Sequence, residues 1–230
     1  MTDQDTLLGR IAASLRRSPD AAAHSPAAGA TPLAASTDDG PALLARFSAE
    51  WQSLAGHVHA AATNRDAIDA VAAVCRSHAV TAVLGWTDEA IGIDGFARRL
   101  AEQGITVDHG MVPREPSARR ARVQELAALG VGVTGADALL AESGSVVLAS
   151  GRGRPRLASL LPLLHVTDVH TRRVYLSLEH LLAAEPALGS AGSNLVAISG
   201  PSRTADIEMT LTRGVHGPGE VHVVIVGGCS

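Results

Sequence analysis

Lysine is absent from this chain of 230 residues: all 19 of its basic residues are arginines. That absence rules out a lysine Schiff base and the lysine of a P-loop within it. Cysteine is nearly absent too. Cys75 and Cys229 lie far apart in sequence, whereas an iron–sulfur cluster needs several thiolates at close spacing, so any cluster that serves this protein must sit on a partner. Aromatic residues make up 2% of the chain against 46% for all apolar residues. The core must therefore be assembled from Ala, Leu, Val and Ile, and few rings remain to stack on a base or a flavin. No stretch approaches the roughly 18 apolar residues of a membrane span, and the opening Met1-Thr2-Asp3-Gln4-Asp5 is acidic where a secretory signal is basic. The expectation is a cytoplasmic protein with no membrane span. A net charge of −4 without long runs of one sign provides no face for phosphate contacts, so no nucleic-acid partner is expected.

What is present is a patterned α/β sequence. Leu7, Leu8, Ile11 and Leu15 recur at helical spacing and predict an N-terminal helix within residues 1–17. Residues 18–41 collapse to Ala, Pro, Ser, Thr and Gly with nothing large to bury, which reads as a flexible linker. The rest, 42–230, is read as one α/β domain. A helix running from Pro41 through the 50s takes in His57 and His59, and a second spans 64–78 with Ile68, Val71, Val74 and Cys75 on its inner face. Beyond it, strands are predicted at 81–84, 105–107, from 131, and at 146–149, 163–166, 174–176, 195–199 and 221–226. Helices alternate with them at 95–103, 117–129, near 177–183 and at 202–211, Ser117 capping the charged one. Alternation on this scale implies a mostly parallel sheet with flanking helices.

Several segments carry chemistry. Gly130-Val131-Gly132-Val133-Thr134-Gly135 matches G-x-G-x-x-G formally, but a helix precedes it and Pro155 stands where a ribose-binding acid belongs. Asp137 and Glu142 sit among small residues just before a strand, where a carboxylate can either point into a cleft or accept backbone hydrogen bonds from its own turn. In Ser199-Gly200-Pro201-Ser202-Arg203-Thr204-Ala205-Asp206-Ile207-Glu208 a strand ends in a Gly-Pro turn, and Ser202 is placed to cap a new helix. Its free N–H groups beside Arg203 would suit a carboxylate or phosphate; the plainer account is a cap whose arginine pairs with Asp206 or Glu208. His216, in the turn Gly214-Val215-His216-Gly217-Pro218, can donate to a substrate oxygen or relay a proton, or be an exposed turn residue. His57 and His59, in a predicted helix, would not face each other, and no structural metal is expected. Arg152, Arg154 and Arg156 form the densest basic cluster, a solvated turn or a steering patch for anions.

The runs at 199–208 and 214–218, with Thr134–Ser145 and Ser159-Leu160-Leu161-Pro162…His165-Val166, closely resemble the lactate utilization protein C (LutC/YkgG) family and its LUD domain. Ser143 and Ser145 stand where the family has threonines, keeping the hydroxyls. The resemblance covers roughly residues 130–226; the earlier part fits in layout alone. It implies a fold similar to the NagB/RpiA/CoA-transferase-like group and a role in oxidising L-lactate to pyruvate with two iron–sulfur partner proteins, this chain being a subunit or accessory without a cofactor of its own. It further implies a small-carboxylate (L-lactate) site with Glu142 and His216 as catalytic candidates and Asp137, Ser202, Arg203, Thr204, Asp206 and Glu208 as substrate-binding candidates. Two other classes fit the same residues: an acyl- or CoA-transferase using Glu142 as nucleophile, and a non-catalytic scaffold that binds a carboxylate.

Overall fold

The computed structural model describes residues 39–190, 192–205, 211–213 and 217–227. The expected helix within 1–17 and the linker as far as residue 38 lie outside the described residues, as do Asp206, Glu208, His216 and Cys229.

The chain enters through α1 (Gly40–Ser53), started by Asp39, whose carboxylate accepts from the Ala42 N–H (2.9 Å). It buries Leu43, Phe47 and Trp51. The helix stops before His57. Residues His57–Ala61 are strand β1, so the expectation of a helix through both histidines is overturned. Then follow α2 (Asn64–Ser77), β2 (Ala82–Gly85), the short α3 (Asp88–Ile91), α4 (Phe96–Glu102) and β3 (Thr106–Asp108). Thr63 and Asp66 close a capping box at the start of α2, whose Ile68, Val71, Val74 and Cys75 are buried as their spacing predicts. α5 (Pro116–Ala127) is capped by Glu115, which accepts from the Ser117 and Ala118 N–H groups, and not by Ser117. Nor is its face wholly solvated: Arg122 turns in to Asp108 at 2.7 and 2.5 Å.

β4 (Val131–Gly135), β7 (Leu164–His170) and β12 (Glu220–Val226) complete a six-stranded, all-parallel sheet in the order β1-β12-β7-β4-β2-β3. A second sheet, not anticipated from sequence, is made by β5 (Ala138–Leu140), β6 (Ser145–Ser150), β8 (Val174–Tyr175) and β9 (Asn194–Ile198), ordered β8-β5-β6-β9 with both β6 pairings antiparallel. The short α6 (Leu157–Leu160) and α7 (Leu178–Ala184) link these strands. Within the span 202–211 expected to be one helix, Arg203–Ala205 (β10) is a strand that pairs antiparallel with Leu211–Arg213 (β11), which overturns that expectation for the described residues. With it goes the helix N-terminus proposed to hold an anion beside Arg203.

The glycines of the G-x-G-x-x-G match do packing work. A Cβ at Gly132 would overlap the Ala158 carbonyl of α6, and one at Gly135 would press on Ala90 and Ile91 of α3, so both let short helices lie against β4. The scarce aromatics are spent inside: Phe47, Trp51, Trp86 and Phe96 are all buried, each worth about 1.5–3 kcal/mol or more in removal from water. Among the described residues no helix is long and apolar enough to cross a membrane.

Candidate functional site

In an open parallel sheet, ligands bind beyond the carboxyl ends of the strands, and here that edge carries a two-chambered cleft. Its larger chamber, about 910 Å³, lies past β2 and β3 and is walled by Thr87, Glu89, His109 and the turn Gly151–Pro155. The smaller, about 210 Å³, lies past β4, β7 and β12 against Asp137, Asp168, His170, Arg172 and Arg173. Glu89, Ala90 and Arg154 line both.

Arg154 forms the partition, and it is positioned from several sides. Gly151 and Arg154 pair their backbones across a tight turn in which Gly153 takes φ +72°, a conformation suited to glycine, and the Gly153 carbonyl accepts from the Thr87 N–H (3.0 Å). The guanidinium donates to Asp137 Oδ1 (2.8 Å) and lies over the Trp86 ring at 5.1 Å. Trp86 is in turn held by its Nε1–H to the Pro155 carbonyl (3.3 Å). Both Asp137 oxygens are engaged, Oδ2 accepting from the Ala149 N–H (2.6 Å). Of the three clustered arginines, then, Arg154 is fixed, while Arg152 lines the larger chamber with no ion pair among the described residues.

The unusual group is Asp168. It is 2% exposed on β7, in register with Gly135 of β4 and Val224 of β12, and neither carboxylate oxygen has a hydrogen-bond partner among the described residues. Buried polar groups are almost always paired, so an orphaned carboxyl on a cleft wall calls for an explanation. Burial alone pushes its pKa well above the usual carboxylate range. Nearby, burial and the Arg172 charge lower the pKa of His170, and Arg172 forms no ion pair among the described residues. An orphan acid that favours its protonated form, in a small chamber that a cation also lines, can donate to or exchange a proton with an oxygen while the cation takes a carboxylate. By contrast His165, three residues back along β7 and so on the opposite face, is a structural imidazole. It bonds to Thr134 Oγ1 (2.9 Å) and Thr167 Oγ1 (3.2 Å), and burial first, then His222, pulls its pKa down to about 3.

The residues singled out in the sequence fall at two places. Asp137 joins the cleft. Glu142 lies at the far end of β5, exposed on the turn before β6, its N–H donating to the Leu176 carbonyl (2.9 Å). Its neighbours Ser143 and Ser145 share a hydroxyl chain with Ser199 at 2.7 Å per step, and Gly144 (φ +55°) packs under the backbone of Glu50 and Trp51. The Ser202 N–H donates to the Pro218 carbonyl (2.8 Å), so the fold does gather the Glu142 turn, the 199–202 turn and the 217–218 turn. Arg203 and Thr204 follow in β10. Sequence reading missed Asp168 and the partition role of Arg154. A signal for the first was there: in Leu164-His165-Val166-Thr167-Asp168-Val169-His170 an acid interrupts a strand with no nearby turn to solvate it.

Comparison with known proteins adds an independent finding. The LUD domain family model matches residues 44–226. Lactate utilization protein C of Halalkalibacterium halodurans is 32% identical over 160 residues, covering 66% of this chain and 66% of that protein. Its counterpart in Geobacillus sp. (strain WCH70) is 31% identical over 157 residues, 66% of this chain and 65% of that one. The chain thus spans about two thirds of the length of these relatives. A crystal structure of a DUF162 family protein from Deinococcus radiodurans superposes with a TM-score of 0.60 over 83% of this chain and 99% of that one at 19% identity, a likeness of fold.

Proposed function

The chain belongs to the LUD domain family, and on that premise we propose that it is a cytoplasmic component of a system that oxidises L-lactate to pyruvate together with iron–sulfur partner proteins. We assign the small carboxylate to the chamber at Asp168. The observation that carries this assignment is the orphaned Asp168 carboxyl, buried toward the carboxyl end of β7 on the wall of a chamber that Arg172 also lines. L-lactate offers one group for each: a carboxylate for the arginine and a hydroxyl for the acid. Conversion to pyruvate releases two electrons and two protons. Asp168 suits the proton side of that balance: in its ionised form the carboxylate would take the hydroxyl proton, while the C2 hydrogen carries off the second proton and both electrons. Electrons need a redox centre, and the thiols here are poor candidates for holding one: Cys75 is buried, with its pKa pushed up to about 11, chiefly by desolvation. Supply of that centre by a partner fits relatives named for lactate utilisation.

Growth on L-lactate of a deletion strain, complemented by wild type, Asp168→Asn or Glu142→Ala at matched expression, tests the reading. Restoration by wild type and not by Asp168→Asn supports it; undiminished growth of the deletion strain defeats it. One observation favours a second reading. Glu142 stands exposed on a tight turn beside a chain of hydroxyls, as an acyl- or CoA-transferase nucleophile would. Incubation with an acyl-CoA and hydroxylamine would then leave a hydroxamate on the Glu142 peptide, read by mass spectrometry. Growth restored by both variants would favour a non-catalytic scaffold.

A further inference from the structure

The opposite edge of the parallel sheet, where the strands begin, carries a cluster that the cleft does not use. β1 is an edge strand, parallel to β12 with His57 in register with His222. Residues two apart on a strand share a face, so His57, His59, Glu220 and His222 all project to one side. The rings form a column: His57 and His222 stack at 4.5 Å between centroids and 20° between planes, His59 and His222 at 5.1 Å and 14°. Glu220 Oε1 lies 2.7 Å from His222 Nε2 and 3.9 Å from His57 Nε2. A donor atom from each of His57, Glu220 and His222 lies within 4.8 Å of the other two.

We propose that His57, Glu220 and His222 bind a divalent transition-metal ion of the zinc class. Two imidazoles and one carboxylate are a ligand set that such ions take, leaving a fourth position open, whereas magnesium and calcium call for oxygen donors. Bonds of about 2.0–2.2 Å in tetrahedral geometry place donor atoms roughly 3.4 Å apart, so the present spacings are within reach of one ion once the stacked His57 and His222 rings turn to aim their Nε2 lone pairs at it.

The surroundings supply the support that a metal ligand usually has. His222 Nδ1 lies 2.8 Å from His59 Nε2. With a metal on Nε2, His222 carries its proton on Nδ1 and donates it to His59, which fixes both tautomers. His78, at the end of α2, reaches the other Glu220 oxygen with its Nε2 (3.2 Å) and orients that carboxylate. Side-chain exposure rises from 8% at His222 to 37% at Glu220 and 56% at His57, which gives an ion a route in from solvent. The helix expected at 57–59 would have separated these two histidines; the strand brings both onto the face of His222.

The full chain, stripped with EDTA and dialysed against one equivalent of zinc chloride, tests this directly. Zinc retained through gel filtration is counted by mass spectrometry, and affinity is measured against a chromogenic chelator. One zinc per wild-type chain, lost in both His57→Ala and Glu220→Gln and weakened about 10–100-fold in His59→Ala as expected for an outer-shell partner, supports the site. Retention should survive His180→Ala, on α7, and a matching excess of magnesium. His57 is exposed and Glu220→Gln keeps the side chain's shape, so circular dichroism of these variants should match wild type. The proposal is overturned if wild type retains no zinc, or if both variants retain as much as wild type does.

Discussion

Replacing Asp168 with Val should make the protein more stable and useless. The carboxyl is buried with both oxygens unpartnered among the described residues, and a buried polar group left without partners costs about 1–3 kcal/mol. Valine suits a strand position and has no polar atom to leave unpaired. For a chain of this size each kcal/mol moves Tm by roughly 2–4 °C, so the variant should melt roughly 2–12 °C higher. The gain has a pH signature. Because the folded pKa of Asp168 is raised, the unfolded chain gives up this proton near pH ~4 while the folded chain keeps it. Wild type therefore loses stability as pH rises from ~4 toward the folded pKa. Asp168→Val lacks that loss, so the difference between the two should widen on going from pH ~4 to neutrality. Differential scanning calorimetry across that range, paired with growth on L-lactate, is the assay. A variant that melts below wild type, or a gap indifferent to pH, would refute the reasoning that Asp168 is held at an energetic cost for function.

Three other outcomes follow from the same geometry. Arg154→Ala should lower stability in urea by about 1–3 kcal/mol, because it strands Asp137 and uncovers Trp86. Gly132→Ala should cost about 1–3 kcal/mol by driving a methyl into the Ala158 carbonyl, while Gly40→Ala, with open space around it, should stay within about 0.5 kcal/mol; thermal melts separate them. His165, whose folded pKa is lowered to about 3 by burial and then by His222, contributes stability that is present above the unfolded value of ~6.5 and is lost as pH falls from there, at up to about 1.4 kcal/mol per pH unit. His165→Asn should flatten that part of the acid-unfolding profile.

The parallel sheet was legible because its strands announce themselves. Val131–Val133 and Val221–Val226 are rich in β-branched residues, broken only by Gly132 and His222, and α2 shows its buried face at the expected spacing. The failures have equally local causes. Two acids a turn beyond Ser202 imitated a capped helix, where Arg203–Ala205 and Leu211–Arg213 are strands. β1 was hidden because alanines at 60–62 prolong an apparent helix that in fact ends at Ser53, where Ala55 turns the chain with φ +67°. β5 spans three residues, too few to show any period. Glu142 could be picked out as a polar residue on a turn. Asp168 is exceptional only through what fails to surround it, and a missing partner is a property of the folded chain.

Spending nearly every ring on the interior also equips the protein to report on itself. Its two tryptophans stand at opposite edges of the parallel sheet. Trp86 lies beneath Arg154 at the partition of the cleft, and the Trp51 indole donates to the His57 carbonyl (3.0 Å) beside the histidine column. With so little other aromatic residue to contribute background, single Trp→Phe variants turn intrinsic fluorescence into two separate channels, one for an anion entering the cleft and one for an ion settling on the histidines, without any label being attached.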